Sequence, residues 1–242
     1  HYQPKIDMAG RLTGLEALLR WEAEGASSML PAQFIAIAEE SGLIDEIGDW
    51  VLVAVCRQLR AWLDDGIRPP RVAINLSTRQ LRQHDLAMRV ARRLNEAAVA
   101  PDLLEFEVTE TAAMENPDTA ARRLGELGAM GVTLSIDDFG SGYSSLSHLR
   151  SLPLDALKID RSFVRDIASD ANDLAIARGT IALAHSLGLR VVAEGVETVA
   201  QWQLLRDHGC DEVQGYLIAR PAPAEALAGI LSMGRISLPL PG

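Results

Sequence analysis

The sequence predicts an α/β protein: a modified, TIM-like (β/α)8 barrel whose first strand runs antiparallel to the rest. Three observations carry that reading. Strand-like and helix-like segments alternate along the 242 residues, the pattern of a repeated βα unit. Eight strand candidates in a chain of this length match the ordinary size of such a barrel. A polar or charged residue also sits in or at the end of nearly every strand candidate, and barrels collect their functional groups at the C-terminal ends of strands.

The first strand is read at residues 2–8 and the second at 15–21. Only Ala9-Gly10-Arg11 and neighbours lie between them, which suits a hairpin turn and leaves no length for a crossover helix. Pro31 fits the first turn of a short helix and Gly42 its end. Residues 44–65 have apolar positions at helical spacing and stop at Gly66. Further strands are expected at 71–76, 104–109, 132–137, 156–159, 190–193 and 212–216. Asn172 is placed to cap a helix over 173–187, with Gly188 to stop it. Residues 199–208 end at Gly209, and a last helix is expected over 222–233. Leu238-Pro239-Leu240-Pro241 reads as an extended tail, because alternating prolines cannot continue a helix. With no internal repeat or interdomain linker, residues 1–242 are expected to form one domain.

Bulk properties narrow the function. Hydrophobic residues make up 48% of the chain and the net charge is −10. That charge argues against a DNA or RNA polymer, or an anionic membrane, as a broad electrostatic partner. A small phosphorylated ligand is compatible, through metals and a few arginines. No apolar run reaches the roughly 18–20 residues that span a bilayer. The N-terminal His1-Tyr2-Gln3-Pro4 has no initiator Met, basic segment or signal-like stretch, and reads as the middle of a longer polypeptide. Cys56 and Cys210 lack any CxxC spacing, so no disulfide framework and a cytoplasmic location are expected. The five histidines show no zinc-ligand spacing.

The chemistry concentrates at Asp137-Asp138-Phe139-Gly140, which closes the apolar run Gly131-Val132-Thr133-Leu134-Ser135-Ile136. Neighbouring strand residues point to opposite faces, so both carboxylates can approach one site only where the strand gives way. Two like charges held together disfavour ionisation unless a cation offsets them, and oxygen ligands suit magnesium or manganese. Other strands add Glu16, Asn75, Glu107, Lys158, Glu194 and Gln214. Lys158 alone cannot offset Glu16, Glu107, Asp137, Asp138 and Glu194, whereas one or two divalent cations would.

These residues stand in motifs that carry a resemblance. Tyr2-Gln3-Pro4, Glu16-Ala17-Leu18-Leu19-Arg20-Trp21, Asn75-Leu76-Ser77, Glu107-Val108-Thr109-Glu110, Asp137-Asp138-Phe139-Gly140-Ser141-Gly142-Tyr143, Leu157-Lys158-Ile159-Asp160, Ala193-Glu194-Gly195-Val196-Glu197 and Gln214-Gly215-Tyr216 occur in order along essentially the whole chain. They resemble the EAL-domain phosphodiesterases, which act on the second messenger cyclic di-GMP.

The resemblance implies that Glu16, Asn75, Glu107 and Asp137 bind a first divalent cation. Asp137 is shared with a second, also held by Asp138 and Glu194. The ions would be Mg or Mn, with Ca inhibitory. Lys158 would lie beside the nucleophilic water, and Gln214 would hold a water or ligand near the metals. Gln3, Leu18 and Arg20 match positions that contact the dinucleotide, Arg20 at a phosphate. Glu110 matches the anchor of the loop after the fifth strand. Ser141 stands where the family often has Thr and keeps the hydroxyl. Glu197 has a supporting role. The catalytic set is then Glu194, Lys158 and Asp138, with the general base open between Glu194 and metal-bound hydroxide.

The implied reaction is in-line hydrolysis of one phosphodiester bond of cyclic di-GMP to linear pGpG. Two metals would polarise the phosphoryl oxygen and lower the pKa of water. The alternative is a silent or slow receptor for the same dinucleotide, but degenerate members usually lose metal ligands or the strand-seven glutamate, and this chain keeps both. A homodimer, an upstream sensory or GGDEF-type (diguanylate-cyclase-like) domain and membrane attachment of the full-length protein are further expectations. One departure is Glu22-Ala23-Glu24-Gly25, which lacks the His-Pro pair common there. Enolase-like and Schiff-base barrels are the other readings of a strand-six lysine. The first needs a capping domain, and the second has no use for so many carboxylates.

Overall fold

Period-two alternation along the strands decides what lies inside and outside this molecule. The structure is a computed structural model that describes residues 1–21, 31–140 and 146–238. Its strands are β1 (Tyr2–Asp7), β2 (Leu12–Ala17), β3 (Arg71–Asn75), β4 (Leu104–Thr109), β5 (Thr133–Phe139), β6 (Ala156–Ile159), β7 (Arg190–Ala193) and β8 (Glu212–Gln214). They close into one barrel in chain order. β1 is antiparallel to both β2 and β8, and every other neighbouring pair is parallel. The predicted barrel with an inverted first strand is the observed fold.

Asp7 makes the hairpin between β1 and β2. Its Oδ1 accepts the Ala9 and Arg11 N–H groups, each at 2.9 Å. β2 starts earlier and stops earlier than the expected 15–21. Leu12 already pairs with Ile6 across a bulge, and Ala17 opposite Ile74 is the last residue paired with β3. Leu18, Leu19 and Trp21 are apolar enough for a strand, but beyond the Leu18 backbone bonds to His1 the pairing with β3 does not continue.

Helices cover the outside. Ile44–Asp64 packs Leu52, Val55, Leu59 and Trp62 inward, and Gly66 follows its end as expected. The helix at Ala171–Ser186 is capped by Asp170, whose carboxylate accepts the Asn172 N–H at 2.7 Å. The cap is therefore two residues before the expected Asn172. The last helix covers only Ala228–Met233, after a 3-10 turn at Ala224–Leu227. Ala222 bridges to Tyr2, and Pro221 and Pro223 keep the chain extended.

Leu15, Val72, Leu104, Leu134, Leu157, Val191 and Val213 belong to the apolar core beneath these helices and are fully buried. Burying each leucine contributes about 1.5–3 kcal/mol. The alternate residues face the lumen. Bulky apolar layers fill most such barrels, but here the lumen is polar. Lys5 reaches across to Glu105 and Glu107 at 3.2 and 3.1 Å. Ser135 Oγ donates to Glu105 at 3.0 Å, and Arg71 donates to Thr133 Oγ1 at 3.3 Å. Cys56 and Cys210 are buried free thiols. No helix among the described residues is long and apolar enough to cross a membrane.

Candidate active site

At the C-terminal mouth of the barrel, Lys158 on β6 gathers carboxylates from four other strands or strand ends. Its Nζ lies 2.6 Å from Glu107 Oε2, 2.6 Å from Glu194 Oε1, 3.2 Å from Asp137 Oδ1 and 3.8 Å from Glu16 Oε2. The alternation of β4, β5, β6 and β2 aims these side chains inward, and Glu194 follows β7 directly. The ammonium is fully buried.

Lys158 faces four carboxylates, and Lys5, shared between Glu105 and Glu107 below, does not offset them, so the ionisation of the cluster reflects a deficit of positive charge. Burial pushes Glu107 up, and the Glu16 charge adds to that against the pull of Lys158 and Lys5. Burial also raises Asp137, with Glu107 adding to the effect. Glu194 is pushed well above the usual carboxylate range by burial, and by Asp137, Glu16 and Glu107. Burial works to lower Lys158, but Asp137, Glu107, Glu16 and Glu194 outweigh it and hold the ammonium charged. Asp138 is raised to about 7 by burial, then by Asp137 and Asp160. The mouth is short of positive charge.

Adjacent Asp137 and Asp138 reach one site through a local break in β5. The expected strand ended at residue 137, whereas β5 runs to Phe139, and its register against β6 shifts between Ile136 and Phe139. Asp138 adopts φ +54° there, a left-handed backbone that costs a non-glycine residue roughly 1–2 kcal/mol. The bulge turns Asp138 toward its neighbour instead of the opposite face. Asp137, Asp138 and Glu194 each present a carboxylate oxygen, and the three atoms lie within 4.8 Å of one another. Opposite ligands of one octahedral Mg2+ span about 4 Å, so small side-chain adjustments would close this triad on a cation. The donor set is hard oxygen throughout, with Glu16, Asn75 and Glu107 beside it. It fits the divalent metal that the sequence implies.

Hydrogen bonds hold the rest of the rim. Asn75 Nδ2 donates to Glu16 Oε1 at 2.9 Å. Gln214 Nε2 donates to Glu16 Oε2 at 2.6 Å and to Gln3 Oε1 at 3.1 Å, and its buried Oε1 accepts from no protein group among the described residues. Gln3 Nε2 donates to the Ala219 carbonyl at 3.0 Å. A cavity of about 270 Å³ opens above, lined in part by Gln3, Glu16, Leu18, Asn75, Asp137, Glu194, Glu197 and Gln214. Arg20 does not line it. It lines an adjoining cavity with His1, Leu18 and Trp50, and donates to the Leu19 carbonyl at 2.8 Å. Buried Glu110 accepts the Gly140 N–H at 2.8 Å, which pins the start of the loop after β5. Gly140 sits at φ +97°, and a Cβ there would meet the Phe163 ring at 2.9 Å, so glycine is required. Ser141 and the segment Glu22-Ala23-Glu24-Gly25 lie outside the described residues.

Three charged residues at or below the mouth were not singled out from the sequence. Lys5 and Glu105 stand beneath Glu107, and Asp160 touches Asp138. Leu104-Glu105-Phe106-Glu107 contained the signal for one of them, since a strand that aims Glu107 inward must also aim Glu105 inward.

Fold and site together define a barrel with a cluster of acidic oxygen donors at its mouth that could hold a cation. The EAL domain family model matches residues 1–221. The chain is 47% identical over 228 residues to the bifunctional diguanylate cyclase/cyclic di-GMP phosphodiesterase MucR of Pseudomonas aeruginosa, covering 94% of this chain and 33% of that protein. It is 48% identical over 232 residues to the cyclic di-GMP phosphodiesterase NbdA of the same organism, covering 96% of this chain and 30% of that one. The solved structure of PaMucR phosphodiesterase in its c-di-GMP complex superimposes with TM-score 0.90 at 47% identity, over 94% of this chain and 92% of that chain. This chain belongs to the EAL domain family, and it spans about a third of the length of MucR and NbdA.

Proposed function

We propose that this domain is a divalent-cation-dependent phosphodiesterase that hydrolyses cyclic di-GMP to linear pGpG. The observation that carries the reading is the buried carboxylate excess around Lys158. It occurs in a chain nearly half identical to proteins named as cyclic di-GMP phosphodiesterases. Glu16, Asn75, Glu107 and Asp137 would hold one ion, and Asp137, Asp138 and Glu194 a second. Bound Mg2+ or Mn2+ would supply Lewis acidity toward the phosphoryl oxygen and lower the pKa of the attacking water.

The chain's own residues do the rest. Lys158, fixed between Glu107 and Glu194, places a permanent positive charge beside the reacting phosphate and orients the water. Glu194 is held at a raised pKa by burial and its neighbours, which suits a group that must take up a proton. Gln214 offers its unpaired Oε1 to a water or to the ligand. Gln3 and Leu18 line the opening and hold the dinucleotide in line, with Glu197 beside them in a supporting role, while Arg20 takes a phosphate from the adjoining cavity. Glu110 sets the start of the loop after β5, through which two copies would pair, and the family resemblance assigns Ser141 to the same anchoring. The length of MucR and NbdA supports a place in a longer signalling protein with a sensory or cyclase domain.

The test is hydrolysis of cyclic di-GMP with Mg2+ or Mn2+, the product resolved by chromatography, beside Glu16→Ala and Glu194→Ala. Metal-dependent pGpG that disappears in both variants is expected. Binding without turnover at any metal concentration would replace the enzyme with a receptor.

A further inference from the structure

Lys5 lies outside the proposed ligand set and outside the cavity at the mouth, yet it is a fully buried ammonium on β1. It bonds Glu107 through one oxygen only. Lys5 Nζ is 3.1 Å from Glu107 Oε1, whereas Lys158 takes Glu107 Oε2 at 2.6 Å. Lys158 also contacts Asp137 and Glu194, so Oε2 is the oxygen on the mouth side and Oε1 the oxygen on the floor side. Glu105 holds Lys5 in turn at 3.2 Å and is itself bonded by Ser135 at 3.0 Å. Across the hairpin, Lys5 pairs with Gly14, where an added Cβ would lie 2.8 Å from Lys5 Cε. Gly14 leaves the channel through which the lysine reaches Glu107.

We infer that Lys5 is a positioning residue for the metal site: it clamps the floor-side oxygen of Glu107 so that the mouth-side oxygen is presented to the cation. This rests on the proposed metal site. Its geometric basis is the division of the two Glu107 oxygens between two lysines. Outer partners that orient a ligand typically change metal affinity 10–100-fold when removed.

Positioning and bulk charge predict opposite orders of affinity. Lys5→Met removes a positive charge from the lumen, so charge alone would tighten cation binding. Glu105→Gln removes a negative charge, so charge alone would weaken it. The clamp predicts the reverse. Without Lys5, Glu107 Oε1 loses its donor and the carboxylate can turn away. With Gln at 105, the amide oxygen still accepts from Lys5 and Ser135, and the clamp stays.

The experiment is Mn2+ titration by calorimetry of the chelator-treated domain at fixed pH, with circular dichroism to establish folding. Lys5→Met should raise the Mn2+ dissociation constant about tenfold or more, and Glu105→Gln should leave it within about twofold. Gly14→Ala keeps every charge but displaces Lys5, and should raise the constant about three- to tenfold. If Lys5→Met does not fold, the contrast between Gly14→Ala and Glu105→Gln decides. Wild-type binding with Gly14→Ala and Lys5→Met unchanged or tighter would overturn this inference alone. No Mn2+ binding by the wild type would overturn the metal site and this inference together.

Discussion

The floor and the mouth of the barrel hold the same residue types in opposite electrostatic conditions. At the floor, Glu105 meets Lys5 at 3.2 Å and Arg71 at 4.0 Å, and Glu212 pairs with Arg190. Burial works to raise Glu105, but Lys5, Ser135 and Arg71 outweigh it and hold it below the usual carboxylate range. At the mouth, Glu16, Glu107, Asp137 and Glu194 crowd around Lys158, the Lys5 contact to Glu107 from the floor does not make up the deficit, and Glu107, Asp137 and Glu194 are all raised. Burying acids does not by itself make a functional site. Balanced acids make a scaffold, and a carboxylate excess makes a place for a cation.

That contrast can be broken at its strongest point first. Asp137→Asn takes one oxygen ligand from both proposed ions, and should lower the rate of cyclic di-GMP hydrolysis by at least about a hundredfold, measured as pGpG formation. Lys158→Met leaves buried carboxylates unpaired. Removing one partner of a buried pair costs about 3–5 kcal/mol, so denaturant unfolding of the chelated domain should show a loss of that size, partly recovered on adding Mn2+. At the floor, Glu212→Gln should cost about 1–3 kcal/mol through the Arg190 side chain it leaves behind, yet leave turnover within about twofold. Loss of activity there would erase the distinction between the regions.

The smallest effect sharpens the comparison through pH. Asp138 has a folded pKa near 7 against an ordinary 3.8. The folded chain then binds more protons than the unfolded one between those values, so stability must fall as pH rises through that window. In the chelated domain this share of the slope should vanish in Asp138→Asn. Thermal midpoints of the two proteins from pH 4 to 8 should diverge, with the wild type losing more. Parallel curves would mean that Asp138 is not strained by its neighbours.

Much of this was legible in the sequence, for identifiable reasons. The hairpin at residues 7–12 followed from the short spacer between two strand patterns, and it fixed the inverted β1. Alternation in Leu104-Glu105-Phe106-Glu107 and Ala156-Leu157-Lys158-Ile159 aimed the acids and the lysine into one space. The bulge at Asp138 was only half visible. The sequence demanded that the strand give way, but where it does so depends on how β6 pairs with β5. Leu18–Trp21 looked like strand because apolar content does not report where pairing with β3 stops. The Asp170 cap was missed because Asp170 and Asn172 are both good caps two residues apart. Lys5 carried no local signal, because its partners Glu105 and Glu107 lie about a hundred residues away in sequence.

The most direct test of the charge deficit at the mouth is the thermal midpoint of chelated domain with and without added Mg2+. A ligand at a hundred times its dissociation constant stabilises a folded protein by about 2.7 kcal/mol. The account predicts a clear rise for the wild type and little or none for Asp137→Asn. No rise in the wild type, or the same rise in both, would contradict it.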